Sequence, residues 1–478
     1  MTEKLREFFP EQVVYKDLTK NNFFKTMNIP SFMRDWLLYA FENEDGEYDA
    51  ETIREYVEEH IVNPENWEWI KNRVIEGERV KILAQVRIYT EVGTGEKRFE
   101  LLNIPLPVKE TFIEQSDWTE FRDQVRIGLP EWGILELGYR YPSDKIKGAI
   151  KIVGYERFCP YETDPDYYKE ARENFTAEEW MDVILGAMDF NADGYRSEDE
   201  KLAVLTRLLP FVEKRLNLIE LAPKGTAKSY LFGQTSKYGW LTSGGSMTVP
   251  KLFYDQSKRM DGLVAHNDYV AFDEVQTIKF ADVDQMRSAL KGYMENGEYT
   301  VGNHKGVGDA GIVLLGNISS ANMNADVDML RELPDEFHES ALMDRFHGFL
   351  EGWRVPRMKE DLKASGWALN SEYFCTIMHM LRDDPIYRSV VDELIELPPK
   401  ADTRNTEAVK RIATAWLKLL FPNVKAARDI SAEDFERYCL EPAKHMRGII
   451  VKQLAILDPG QFGNMVMPDY RVRSEYAF

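Results

Sequence analysis

Lys228 and Ser229 stand side by side in LAPKGTAKSY, residues Leu221 to Tyr230. A lysine can meet the outer phosphates of a nucleotide and a neighbouring hydroxyl its magnesium ion, provided a turn and a helix N-terminus supply backbone N–H groups around the anion. The stretch nearly fits the phosphate-loop pattern G-x-x-x-x-G-K-[ST]: Gly225, Lys228 and Ser229 are in place, and both pattern glycines are alanines, Ala222 and Ala227. Ala222 ends the apolar run NLIELA and needs only to be small. Ala227 fixes a Cβ beside the polyphosphate, which is costly at a positive φ and tolerable in ordinary helical space.

Further along, DYVAFDEV is an apolar run ending in Asp273 and Glu274. A carboxylate at such a strand end can hold magnesium through water, and its neighbour can orient the attacking water. GIVLLGNISS is a third such run and ends in Asn317, whose amide is suited to contact the water or the γ-phosphate. In LMDRFHGFLEGW, Arg345 is a candidate arginine finger acting on a neighbouring subunit's nucleotide, or equally a surface ion pair. The stretch DFNADGYRSEDE fits the calcium-loop pattern literally, with Asp189, Asn191, Asp193, Gly194 and Glu200 in register. Arg196 occupies the position where an aliphatic residue normally pairs loop to loop, and no second such loop exists, so residues 189–200 read as an Asx-rich interdomain turn.

Those residues need a scaffold, and 478 residues exceed the roughly 250 to 300 that one core serves, so two or three domains are expected. Residues 1–78 read as mostly helical, with apolar residues at helical spacing in SFMRDWLLYAF and ETIREYVEEHIV. Residues 79–162 alternate in short strands around the turn GTGE, as in a small barrel or sandwich of the oligonucleotide-binding (OB) kind. A helical linker occupies 163–214, strand and helix alternate over 215–358 as in a parallel α/β sheet, and 359–478 is again helical.

Composition narrows the function. The net charge of −21 argues against a surface that is basic all over, although an acidic ring can still turn lysines into its channel. Cys159, Cys375 and Cys439 lie far apart and predict buried free thiols, not a disulfide framework or zinc ribbon. The charged start MTEKLREFFPEQ and the lack of any run near about 18 apolar residues predict a cytoplasmic protein with no membrane partner.

The ordered set of loop, strand-end carboxylates, strand-end amide and arginine resembles the AAA+ ATPases, in the branch holding the MCM helicases and Lon-type proteases, whose MCM members also read GTAKS at the loop. Over nearly the whole chain, NFTAEEWMD, LAPKGTAKSYLFG, LTSGGSMTVPKLFYD and VAFDEVQTIKF are similar to the BrxL family of BREX phage-defence systems. The resemblance implies an α/β AAA+ P-loop core, an amino-terminal α+β domain with an OB-like part, and a carboxy-terminal helical lid. It implies ATP and Mg2+ held between subunits of a hexamer or double hexamer, double-stranded DNA and other BREX components as partners, and translocation or clamping driven by ATP hydrolysis. Gly225, Thr226, Ala227, Lys228, Ser229 and Tyr230 then cradle the nucleotide, Ser229 and Asp273 hold magnesium, and Glu274, Asn317 and Arg345 are catalytic. Arg404 is the second sensor, with Arg411 as its alternative. Lys251, His304 and Lys305, on two loops that such rings point into the channel, are the DNA contacts. No Ser/Lys peptidase motif follows the helical region, so protease activity is not expected of this chain. A protein unfoldase working with a peptidase in trans is the competing reading, and a calcium-regulated interaction module a third.

Overall fold

The computed structural model describes all residues except 1, 19–23, 25–28, 42–47, 63–65, 103, 126, 129, 144–145, 159–161, 258, 400 and 477–478. Cys159 therefore lies outside the described residues, while Cys375 and Cys439 are buried free thiols. The chain divides into two compact units, residues 37–162 and residues 1–36 with 163–478.

In the first unit, helix α1 (Ala50–His60) starts where the Asp49 side chain accepts from the Glu51 N–H, and it buries Ile53 and Val57. Helix α2 (Trp67–Ile75) buries Trp67, Ile70 and Val74. Strands β1 (Val80–Thr90), β2 (Lys97–Leu101) and β3 (Thr111–Phe112) follow, then helix α3 (Gln115–Phe121), β4 (Pro130–Arg140) and β5 (Ala149–Arg157). Their order is β2-β1-β4-β5-β3, antiparallel except for the parallel pair β3–β5. The sheet curls back on itself: Lys97 bridges Ile113, and the buried Thr111 hydroxyl accepts from the Phe99 N–H at 3.0 Å and donates to its carbonyl at 2.9 Å. Ile82, Val86, Ile88, Phe99, Leu135 and Ile152 fill the interior together with Trp118 and Phe121 of α3.

The second unit is built on five parallel strands: β6 (Leu218–Ala222), β7 (Gly239–Ser243), β8 (Tyr269–Asp273), β11 (Gly311–Asn317) and β12 (Gly348–Glu351), in the order β12-β6-β11-β8-β7. β6 and β8 are buried at every position, because helices cover both faces of such a sheet. Helix α4 (Ala177–Ala187) opens on a capping box between Thr176 and Glu179, and α5 (Glu198–Leu205) on the Ser197 side chain. Helix α6 (Lys228–Gln234) follows β6 directly. Helix α7 (Val283–Asn296) stops at Gly297, in the left-handed region at φ 84°, and the chain turns into the hairpin β9 (Glu298–Val301) and β10 (His304–Val307). Helices α8 (Ser371–Leu381), α9 (Thr403–Leu420) and α10 (Glu441–Leu457) are among the helices that follow the sheet.

Residues 1–36 belong to this second unit, and the chain does not run as one helical region to residue 78. Strand Val13–Asp17 pairs antiparallel with strand Ser365–Leu369, burying Val13 and Val14 and enclosing Lys16 completely. That pairing joins segments far apart in sequence, which no local pattern reports.

One buried ion pair sits directly under the α6 turn. Arg207 is fully buried, bonds Glu220 in the middle of β6 at 2.5 to 3.2 Å, and donates to the Thr226 carbonyl at 2.6 Å. Removing one partner of such a pair strands the other charge, so Glu220→Leu is expected to destabilise the protein by about 3–5 kcal/mol in urea denaturation. The double variant Arg207→Met/Glu220→Leu, which removes both charges, should recover most of that loss.

Candidate nucleotide site

The loop between β6 and α6 has the shape an anion requires. Gly225 lies at φ 86°, and Ala227, the N-cap of α6, lies at φ 59°, ψ 23°. Ala227 is thus in the left-handed region, the costly alternative of the two considered from sequence. An L-residue there costs about 1–2 kcal/mol, and it is held in place by Arg207 on the preceding carbonyl and by the Met358 N–H, which donates to the Gly225 carbonyl at 2.8 Å. The backbone N–H groups of Gly225 and Ala227 donate no hydrogen bond among the described residues and remain available to a ligand.

Three further groups converge because their strands are neighbours. β11 lies between β6 and β8, so Asn317, paired with Ala222, and Asp273 emerge at the same carboxyl edge as the loop. Lys228 donates to Asn317 Oδ1 at 3.2 Å. Its side chain is buried, and burial lowers the ammonium's pKa, with Glu220 and Asp273 opposing the fall. Asp273 is 3% exposed; its carboxylate accepts the Glu274 N–H at 2.9 Å and faces the Ser243 hydroxyl at 3.4 Å. Glu274 is exposed, with its backbone in the left-handed region at φ 48°. Ser229 is exposed in the first turn of α6. The donor set suits a magnesium-bound triphosphate: a lysine for phosphate oxygens, a hydroxyl and a buried carboxylate for the ion, and a free carboxylate for water.

Arg345 and Arg404 stand elsewhere. The His347 N–H donates to the Asn217 carbonyl and the Asn217 N–H to His347 Nδ1, tying the start of β12 to the start of β6. Arg345 therefore lies at the amino edge of the sheet, one strand length, about 16 Å, from the phosphate loop. It donates to the Lys291 carbonyl at 2.9 Å and pairs with Glu295 at 3.1 Å. Arg404 pairs with the same Glu295 at 3.0 Å and with Asp344 at 2.6 Å. Both arginines line one cavity of about 440 Å³. Arg411 is tied to Glu407 and the Lys214 carbonyl.

The hairpin residues differ among themselves. Lys305 and Lys251 are exposed. His304 is built into the structure, stacked on Tyr254 with ring centroids 3.6 Å apart and bonded to Asp261 at 3.0 Å.

In the calcium-like stretch, Asp189 is 1% exposed and its carboxylate is taken by Lys16 at 3.0 Å, Arg34 at 2.6 Å and Tyr230 at 2.5 Å. Burial alone would raise this carboxyl, but the two cations outweigh it and hold its pKa below the usual carboxylate range. Glu200 accepts from the Arg196 backbone N–H, and Asn191 caps the turn by accepting from the Asp193 N–H. No group of three or more potential metal-binding side chains occurs among the described residues.

Sequence reasoning passed over Arg207, Glu220 and Arg357. The first two were signalled by opposite charges inside apolar runs, VLTRLLP and NLIELA. Arg357 is exposed and packs against the phosphate loop, so that a Cβ on Gly225 would lie 3.1 Å from its Nε. It carried no motif by which to find it.

Residues 150–467 match the family model described as "Lon-like protease BrxL-like, ATPase domain", and residues 7–139 match "BREX system Lon protease-like protein BrxL N-terminal". The chain belongs to the BrxL family. Two curated relatives are each called "Lon-like protease BrxL". The one from Escherichia coli O9:H4 (strain HS) is 27% identical over 464 residues, covering 96% of this chain and 65% of the relative. The one from Bacillus cereus (strain H3081.97) is 29% identical over 456 residues, covering 91% and 64%. This BrxL-family chain thus spans just under two thirds of the length of either. The ATPase-domain match takes in the phosphate loop and all three strand-end groups.

The backbone at Ala227 sets a test. Ala227→Gly relieves left-handed strain of about 1–2 kcal/mol but adds unfolded-state freedom of about 0.4–1 kcal/mol. Stability in denaturant should therefore shift by less than about 1.5 kcal/mol, with ATP binding retained. Ala227→Val, β-branched at a left-handed position, should cost about 1–3 kcal/mol more and weaken nucleotide binding in a titration.

Proposed function

We propose that the chain is a ring-forming AAA+ ATPase of BREX phage defence, a homo-hexamer or double hexamer that hydrolyses ATP while translocating on or clamping double-stranded DNA, alongside other BREX components. The observation that carries the ring is the placement of Arg345. A strand length separates it from its own phosphate loop, more than an arginine side chain spans, so the nucleotide it serves belongs to a second copy. Arg404 shares Glu295 with it and would approach the same neighbouring nucleotide.

Within one subunit the roles follow from the carboxyl edge. Lys228 meets the outer phosphates, steadied by Asn317, and Ser229 and Asp273 hold the magnesium ion. That ion, when bound, neutralises charge on the triphosphate. Glu274, exposed and free of an ion-pair partner among the described residues, orients the attacking water and accepts its proton. Gly225, Thr226, Ala227 and Tyr230 shape the cradle.

Two features support DNA as the substrate. The exposed Lys305 lies on a hairpin whose turn uses Gly302 at φ 61°, and Lys251 is exposed on the segment that follows β7. The barrel of residues 37–162 pairs its strands in the way of an OB fold, including the parallel pair and the helix between third and fourth strands, and such barrels commonly bind nucleic acid.

Steady-state ATP hydrolysis, with and without long duplex DNA, tests the proposal. DNA should stimulate turnover in a salt-sensitive way, and Lys305→Ala should reduce that stimulation. Turnover indifferent to DNA would move the reading to a protein-remodelling ring. Lys228→Ala should abolish nucleotide binding, and Glu274→Gln should bind ATP but hold it unhydrolysed. Arg345→Ala should lower turnover by about 10³-fold with binding nearly intact, and mixing it with the Lys228→Ala protein should restore part of the activity. Mixed rings that recover nothing would remove the finger role.

A further inference from the structure

A cavity of about 460 Å³ adjoins the phosphate loop and extends beyond the residues given roles above. It touches the loop at Gly225 and Ala227 and continues past Tyr230 and Gln234. Ala227, Tyr230 and Gln234 are spaced by three and four residues, so they share one face of the α6 turn and helix. From the first to the last the helical rise is about 10 Å, the scale of a nucleoside. Its apolar lining comes from far away in the chain, from Leu18, Phe24, Ile29 and Met358, with Arg34, Asp189 and Lys363 as the charged groups. An apolar cleft with a few fixed polar groups is the usual form of a small-molecule site.

The wall is anchored. The Tyr230 hydroxyl donates to Asp189 at 2.5 Å and pairs with Ser31 at 2.8 Å, which leaves its ring for the cavity. Asp189 is held by Lys16 and Arg34, and both of these also bond Asp35. Lys16 in turn sits on the strand paired with Ser365–Leu369. Three segments, those of Lys16, of Ser31 to Asp35 and of Asp189, thus meet behind one tyrosine ring.

We propose that this cavity receives the nucleoside of ATP, with Leu18, Phe24 and Ile29 packed on the base, so that these three residues, far from the phosphate loop in sequence, are part of the nucleotide site. The inference rests on the phosphate loop binding ATP. The first acid of the calcium-like stretch then serves nucleotide binding, by fixing Tyr230, and not a metal.

The experiment is calorimetric titration of the full chain with magnesium-ATP and, separately, with magnesium-tripolyphosphate, which carries the phosphates without the nucleoside. Phe24→Ala removes packing from the cavity and Ile29→Trp fills it from a half-buried position. Both variants should lose about tenfold or more in ATP affinity while tripolyphosphate affinity stays within about twofold of the parent. Unchanged ATP affinity in either folded variant, or a parallel loss of tripolyphosphate, would overturn the assignment. Ile29→Trp decides the matter alone if Phe24→Ala does not fold by thermal unfolding. A parent chain that binds neither ligand would refute the ATP site itself, whereas a parent that binds both equally well would refute only the nucleoside pocket.

Discussion

A parallel sheet has a direction, and that direction divides this molecule's chemistry between two edges. Every strand delivers its carboxyl end to the same side, so Ala222 and the loop after it, Asp273 and Asn317 arrive together without any search through side-chain conformations. What precedes each strand is delivered to the other side. Asp344, Arg345 and His347 precede β12; His347 is bonded to the start of β6 and Arg345 to α7, which keeps the segment there, and Asp344 accepts from Arg404 and Arg447. A catalytic arginine on that edge cannot complete its own subunit's site, and the proposed need for a second copy is a consequence of strand polarity more than of any single contact.

Buried charge is the second organising constraint, and two of its clusters adjoin the loop. Arg207 with Glu220 lies beneath it, and Lys16, Arg34, Asp35 and Asp189 lie beside it. Each of these groups carries a desolvation cost that packing apolar residues would avoid. Their geometry explains why they are kept. Arg207 holds the Thr226 carbonyl and so fixes the residue before Ala227, and the Asp189 cluster fixes the Tyr230 phenol at the start of α6. A loop whose backbone must present N–H groups outward has few internal hydrogen bonds of its own, and these side chains supply the missing rigidity.

The parts of this arrangement that could be read in advance are those where a local pattern ends abruptly. NLIELA, DYVAFD and GIVLLGN each run apolar and then stop at a polar group, so strand, edge and candidate role come from one short window. The parts that could not be read depend on partners distant in the chain. Strand Val13–Asp17 has no signal for its mate at Ser365–Leu369, and residues 1–36 therefore looked like the start of a helical region. His304 is assigned to DNA by its place on a loop that resembles those of ring ATPases, and nothing local signals its stacking on Tyr254 or its bond to Asp261, both from an earlier segment. Arg207 and Glu220 were legible as misplaced charges but not as a pair until β6 and the preceding helical turn were packed.

Asp189 and Ala227 extend the same lesson to motifs. Asp189 satisfies a calcium-loop pattern in type and spacing, yet a carboxylate binds what faces it, and here two cations and a phenol face it before any ion could. Ala227 breaks a phosphate-loop pattern in type, yet its backbone adopts the left-handed conformation that the missing glycine would have taken. A pattern records which residue adopts a geometry at least cost; the surrounding structure decides whether that geometry is adopted anyway. At Ala227 the opposing cost is about 1–2 kcal/mol, small beside a charge-assisted anchor on the preceding carbonyl and a backbone bond at Gly225. The loop keeps its shape because its supports are stronger than the preference they override.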